Sequence, residues 1–141
     1  IRELLPLARI ITPNIPEAEI LSGIKITTQD DMLEAARIIA KLLKGDILLK
    51  GGHLQDTSDD LLFTGGEAVW FRGPHIENSN THGTGCTLSS AIAYGLAEGL
   101  SVRDSVTIAK ESITGAIADG LDLGSGSGPL NHMYRLPFRF G

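Results

Sequence analysis

The chain is poor in cysteine: Cys86 is the only one in 141 residues. A lone cysteine cannot close an intramolecular disulfide or build a sulfur-rich metal site, and none of the four histidines pairs at zinc-like spacing. No structural metal is expected, and the expected setting is a reducing cytoplasm. Excess positive charge is also missing. The formal net charge is −5, so no basic face repays phosphate neutralisation, which argues against a non-specific nucleic-acid binder. The apolar runs are too short to span a bilayer, and no secretory leader pattern opens the chain. Internal repeats and long linkers are absent. So are the Gly-Lys-Ser/Thr ending of a P-loop and the Gly-x-Ser-x-Gly elbow of a serine hydrolase.

What remains is the composition of an ordinary globular domain. Apolar residues make up 42%, charged residues are interspersed rather than blocked, and the length suffices for one hydrophobic core. The opening "IRELLPLARIITPN" reads as the end of a helix feeding a strand. That pattern predicts that the chain is the later part of a longer protein.

"ARIITPN" is an apolar run stopped by Thr-Pro-Asn, the signature of a buried strand. A short helix, "IPEAEILSG", ends at Gly23. A longer one, "TTQDDMLEAARIIAKLLKG", carries Met32, Leu33, Ala36, Ile39, Ala40 and Leu43 at helical spacing. Thr28 and Asp31 are its N-terminal cap, and Gly45 is the expected residue just past its end. "DILLKGGH" is a second strand, and "DLLFT" and "EAVWFRG" flank Gly65-Gly66 as a hairpin. Gly83 and Gly85 open a helix through Leu88, Ile92 and Leu96, closed by Gly99. Ser101 and Asp104 cap another, with Val106, Ala109, Ile113, Ala116 and Ile117 on its apolar face and Gly120 at its end. Residues 121–141 form a Gly/Ser/Pro-rich tail. Alternating strands and helices predict an α/β fold, a three-layer sheet between helices, largely parallel with one antiparallel hairpin.

Open α/β sheets bind ligands beyond the carboxyl ends of their strands. That rule selects Asn14, the stretch from Lys50 to His53, and the turn before the helix that holds Cys86. In "HGTGCT", Gly83 and Gly85 let successive N–H groups converge at a helix start. Such a cradle stabilises the charge that spreads over a transferred phosphoryl group, and the helix dipole there favours a Cys86 thiolate. The plainer alternative is an ordinary turn entering a helix, with Cys86 packed inside. In "TPNIPEAE", Asn14 and Glu17 have the spacing of a capping box. The capping box is the plainer reading; the other is a strand-end site where one carboxylate organises water around Mg²⁺. In "LLKGGH", Lys50 is either solvent-facing or a point charge for phosphate, with two glycines permitting close backbone approach. A Cys86/His82 nucleophilic pair is a competing catalytic possibility, although Gly83-Thr84-Gly85-Cys86 does not fit the hydrolase elbow.

Taken together, "TPNIPEAEILSG", "LLKGGH", "NTHGTGCTLSSAIA" and "GSGSGPLNH" resemble, in order and spacing, motifs of the ribokinase-like superfamily. The resemblance is closest to the bacterial hydroxymethylpyrimidine/phosphomethylpyrimidine kinases of thiamine biosynthesis, and it spans nearly the whole chain. Many superfamily relatives, ribokinase and several pyridoxal kinases among them, carry aspartate where this chain has Cys86. The cysteine points to the pyrimidine kinases and to the pyridoxal kinases closely related to them.

The resemblance implies an ATP-dependent, Mg²⁺-requiring phosphotransferase acting on hydroxymethylpyrimidine and then on its monophosphate. It implies that Gly83, Thr84, Gly85 and Cys86 form the anion hole. Cys86 occupies the position of the relatives' catalytic base, Lys50 neutralises ATP phosphate charge, and Asn14 with Glu17 supports the metal through water. It also implies small-molecule partners only, no membrane or nucleic acid, and dimerisation through the sheet as is common in the superfamily. The earlier half of such enzymes, with the glycine-rich start, much of the pyrimidine pocket and a flap, has no counterpart here. Two other functions stay open on these residues: a pyridoxine/pyridoxal kinase and a non-catalytic nucleotide-binding fragment.

Overall fold

Ile10–Ile11 form a short strand, β1, which stops before Pro13, a residue with no N–H to donate to a ladder. The computed structural model that shows this describes residues 3–52, 59–72, 84–119 and 130–131. These divide between two compact units, Ile1–His75 and Ile76–Gly141.

In the first unit, Ile15–Ser22 (α1) and Gln29–Ala40 (α2) follow β1, and Asp46–Leu49 (β2) returns parallel to it with Ile10 opposite Asp46 and Ile11 opposite Ile47. Asp60–Thr64 (β3) pairs antiparallel with β2, and Glu67–Phe71 (β4) pairs antiparallel with β3, in the order β1-β2-β3-β4. The hairpin stands where expected. Gly65 and Gly66 both have positive φ, 58° and 87°, the conformation that matches the twist of two-residue hairpins.

The parallel share of the described sheet is smaller than expected, with one parallel and two antiparallel pairings among the described strands. The reason is chain length. Only residues 50–59 separate β2 from β3, fewer than the dozen or so that a parallel crossover needs. β2 is buried along its whole length. Ile47, Leu49 and Leu61 pack with Met32, Ala35, Ala36 and Ile39 of α2 in one core cluster.

Local signals place the helices. Thr28 Oγ1 accepts the Asp31 N–H at 3.1 Å, and Asp31 accepts in return from Thr28 N. Gly23 ends α1 with φ 76°. Gly45 behaves differently from its expected role. Helix α2 stops at Ala40 with Lys41 as its C-cap, so Gly45 is not the residue that ends it. An added Cβ at Gly45 would instead press into the carbonyl oxygens of Ala8 and Arg9. Gly45 is small because β1's approach passes against it.

The Asp31 carboxylate also accepts from Thr27 N and Thr27 Oγ1, each at 2.9 Å. The Thr27 backbone bond, then the Thr27 and Thr28 side chains, hold its pKa down from 3.8 to about 2. A depressed carboxylate stabilises the fold at pH values above its unfolded pKa, and that contribution fades as pH falls from about 4 towards 2. Urea midpoints measured from pH 5 to pH 2 should therefore fall less steeply for Asp31→Asn than for the parent chain. Parallel slopes would mean that this cap does not contribute.

In the second unit, Thr84–Ala97 (α3) and Val102–Ala118 (α4) pack on each other. Leu88, Ile92 and Gly95 of α3 are buried, as are Val102, Ser105, Val106 and Ala109 of α4. A Cβ at Gly95 would come within 2.8 Å of Ser105 Oγ and 3.2 Å of its Cα. That glycine sets how closely the two helices approach. Gly99, with φ 83°, turns the chain between them, and Ser101 Oγ accepts the Asp104 N–H at 3.1 Å as the cap of α4. Gly120 and residues 121–129 and 132–141 of the tail lie outside the described residues. Among the described residues no helix is long and apolar enough to cross a membrane.

Candidate functional site

The carboxyl ends of β1 and β2 converge where the sequence placed its candidates. After Ile11 the chain runs through Thr12 and Pro13 to Asn14, which forms an isolated parallel bridge with Lys50. The Lys50 N–H donates to the Pro13 carbonyl at 2.9 Å. Asn14 is the N-cap of α1: its Oδ1 accepts the Glu17 N–H at 2.9 Å, and Glu17 Oε2 accepts the Asn14 N–H at 2.9 Å. The capping reading of these two residues is therefore realised. Glu17 is nevertheless exposed, at the N-terminal end of a helix and beside a strand-end lysine. Asn14, Glu17 and Lys50 thus occupy one end of one sheet.

The turn after Lys50 is held from below. The Gly51 N–H donates to Asp60 Oδ1 at 2.9 Å in a buried hydrogen bond, and Asp60 stands at the start of β3. Gly51 is buried, and an added Cβ would collide with the Asp59 carbonyl oxygen and approach Met32 Cε to 3.3 Å. Gln29 Nε2, in the first turn of α2, donates to Asp59 Oδ2 at 3.1 Å. The glycine pair was expected to admit a ligand close to the backbone. Gly51 is instead small for an internal contact, whereas Gly52 faces open space. Asp60 was missed by the sequence reading. Its only signal there is an acidic residue at the head of an apolar strand, in "DDLLF", and nothing local ties that residue to Gly51.

Beside Glu17 runs a groove of about 410 Å³ lined by Leu5, Ile11, Thr12, Pro13, Ile20 and Leu21 as well as Glu17. Ile20 is 83% exposed and Leu7 81%, an unusual amount of open aliphatic surface along an edge strand of the described sheet.

The second unit presents Thr84, Gly85 and Cys86 as the first turn of α3, with no acidic side chain in that turn. Ser89 Oγ donates to the Gly85 carbonyl at 3.0 Å. Cys86 is exposed, so it is not the packed small hydrophobe that the plainer reading allowed. Cys86 thus lies in the first turn of α3, at the positive end of the helix dipole. Gly83, His82 and His53 lie outside the described residues. The predicted site residues therefore fall in two groups, each within its own unit: Asn14, Glu17 and Lys50 in the first, Thr84, Gly85 and Cys86 in the second. Among the described residues no group of three or more His, Cys, Asp or Glu could hold a metal. A Mg²⁺ carried by nucleotide phosphates needs only one or two protein carboxylates, with water completing its shell. Exposed Glu17 fits that pattern.

Comparison with known proteins supplies the family. The chain is 46% identical over 133 residues to a hydroxymethylpyrimidine/phosphomethylpyrimidine kinase of Streptomyces coelicolor, covering 94% of this chain and 49% of that one. An ADP complex of Bacillus subtilis pyridoxal kinase superposes with a TM-score of 0.86 at 40% identity, over 95% of this chain and 54% of that one. Pyridoxal kinase from Staphylococcus aureus, solved with AMP-PCP and pyridoxal, gives 0.87 at 36% identity, over 95% and 51%. These likenesses bear out the α/β, ribokinase-like fold class. The chain spans about half the length of the relatives it matches. The profile of the phosphomethylpyrimidine kinase family matches residues 1–131, and the chain belongs to that family.

Proposed function

We propose that the protein carrying this chain transfers the γ-phosphoryl group of ATP to the hydroxymethyl oxygen of hydroxymethylpyrimidine. A second transfer then goes to the resulting monophosphate. Within this reading, residues 1–141 supply the nucleotide-side and anion-hole half of one ribokinase-like domain. The observation that carries it is the bridge between Asn14 and Lys50 at the carboxyl ends of two parallel strands, with Glu17 one helical turn away. That arrangement sets a cation and a carboxylate where α/β sheets bind nucleotides. The aliphatic groove along β1 supports the same reading, because the relatives are about twice as long as this chain and an open apolar sheet edge suits further packing.

Each residue then has a task. The Lys50 ammonium balances charge on the ATP phosphates as a point charge. Glu17, with its backbone position fixed by Asn14, would hold water on a phosphate-bound Mg²⁺; that ion supplies charge neutralisation between the phosphates when bound. Gly83, Thr84, Gly85 and Cys86 form the anion hole, where backbone N–H groups at a helix start meet the equatorial oxygens of the moving group. As the new P–O bond forms, the acceptor hydroxyl loses its proton, the P–O bond to ADP breaks, and ADP leaves with the electron pair. A thiolate is a weak base for an alcohol. In a loose transition state, however, the hydroxyl proton becomes acidic only late, so a weak base placed at the acceptor oxygen suffices. A cytoplasmic setting suits an ATP-dependent reaction at a free thiol.

The assignment is tested by supplying the full-length protein with ATP, Mg²⁺ and either hydroxymethylpyrimidine or pyridoxal, and resolving the products by mass. Two successive phosphate additions to the pyrimidine are expected. Phosphorylation of pyridoxal with an untouched pyrimidine would move the substrate to the vitamin B6 class. ATP binding without transfer to either would reduce the protein to a nucleotide-binding module.

A further inference from the structure

We infer that Asp60 is a positioning residue for Lys50, acting through the Gly51 peptide. The inference rests on the reading of Lys50 as the phosphate-binding cation and adds a residue to it. Lys50 stands at the isolated bridge just beyond the β1–β2 ladder, where its own peptide N–H and the next one are tied to different parts of the sheet. Its own N–H is committed to the Pro13 carbonyl, two residues past β1, at 2.9 Å. The next N–H, that of Gly51, is committed to Asp60 Oδ1 at the head of β3, at 2.9 Å and buried. The Lys50 backbone is therefore clamped from both sides, and the Gly51 peptide cannot turn away without breaking a buried hydrogen bond.

The second clamp is itself anchored. Asp60 is 8% exposed and pairs with Phe71 in the β3–β4 register. Its neighbour Asp59 takes a hydrogen bond from Gln29 in the first turn of α2 and sets its carbonyl against Gly51. A carboxylate suits the position because it only accepts, and it brings no N–H or O–H of its own that would need a buried partner. A long, flexible lysine gains most from a fixed Cα, since fewer rotamers then reach the phosphates. Precision at Lys50 thus comes from a residue ten positions along the chain on another strand.

The test uses the full-length protein, with ATP affinity read by calorimetry, acceptor KM by turnover and folding by thermal unfolding. Asp60→Ala is expected to weaken ATP binding about tenfold, the scale of one lost buried hydrogen bond, with acceptor KM unchanged. Asp60→Asn, which keeps an acceptor for Gly51, is expected to restore ATP affinity to within about twofold. In a Lys50→Ala background, Asp60→Ala should add almost nothing to the loss. If Asp60→Ala does not fold, Asp60→Glu keeps the charge while displacing the acceptor by one methylene, and the same selective loss of ATP affinity is expected. Lower unfolding midpoints with unchanged ATP affinity in Asp60→Ala, or in Asp60→Glu if that variant is used, would overturn the inference and leave Asp60 a purely structural residue. Unchanged ATP affinity in Lys50→Ala alone would instead overturn the underlying phosphate reading.

Discussion

Cys86→Ala is expected to lower kcat for phosphoryl transfer by about 10²–10⁴, the usual worth of a positioned proton acceptor, while leaving the unfolding midpoint in place. The side chain is exposed in the first turn of α3, so its truncation leaves no cavity, and surface changes of this kind cost within about 0.5 kcal/mol. Alanine also retains the backbone N–H of residue 86. The substitution therefore removes the thiol and spares the amide proposed for the anion hole. Cys86→Asp places the base that many superfamily relatives carry, and should recover part of the lost rate. Single-turnover measurements at saturating ATP and acceptor separate the possibilities. A rate in Cys86→Ala equal to that of the parent would remove the thiol from the chemistry and leave it only a wall of the site.

Gly51→Ala should produce the largest loss of stability of any small substitution near the site, about 3 kcal/mol or more. The new methyl would be driven into the Asp59 carbonyl oxygen, which is backbone and cannot rotate away, with Met32 Cε 3.3 Å to one side. Relief requires the Lys50 turn to lift off β3, which breaks the Gly51–Asp60 hydrogen bond. Gly52→Ala is the matched control. Its Cβ meets nothing within 4 Å, so it should stay within about 0.5 kcal/mol of the parent. Urea unfolding of the pair checks both expectations. Equal midpoints for the two variants would show that Gly51 is not the packing constraint inferred from its surroundings.

The contrast between these two glycines marks where sequence reading ends. Gly51 and Gly52 are neighbours of identical type in "LLKGGH", and nothing within several residues of either tells them apart. Asp59 and Asp60, which do, stand just before and at the start of another strand. The capping pairs were readable for the opposite reason. Asn14 with Glu17, Thr28 with Asp31 and Ser101 with Asp104 each close a hydrogen bond over three residues, so spacing alone specifies them. Gly23, Gly99 and the Gly65-Gly66 turn were equally legible, because positive φ is a local demand that few other residues meet.

By itself, then, the sequence determined the caps that start α1, α2 and α4, the glycine turns after α1 and α3, the hairpin, the apolar faces and, through motifs in their order, the family to which the chain belongs. Those properties depend on interactions that reach one turn of helix or one pleat of strand. Only the tertiary structure decided that Gly45 serves the approach of β1 rather than the end of α2, and that the sheet reverses after β2. It also decided that Lys50 is bridged to Asn14 and braced by Asp60. These outcomes depend on strand register and on backbone passing within contact distance of backbone, and residue spacing along the chain carries no record of either.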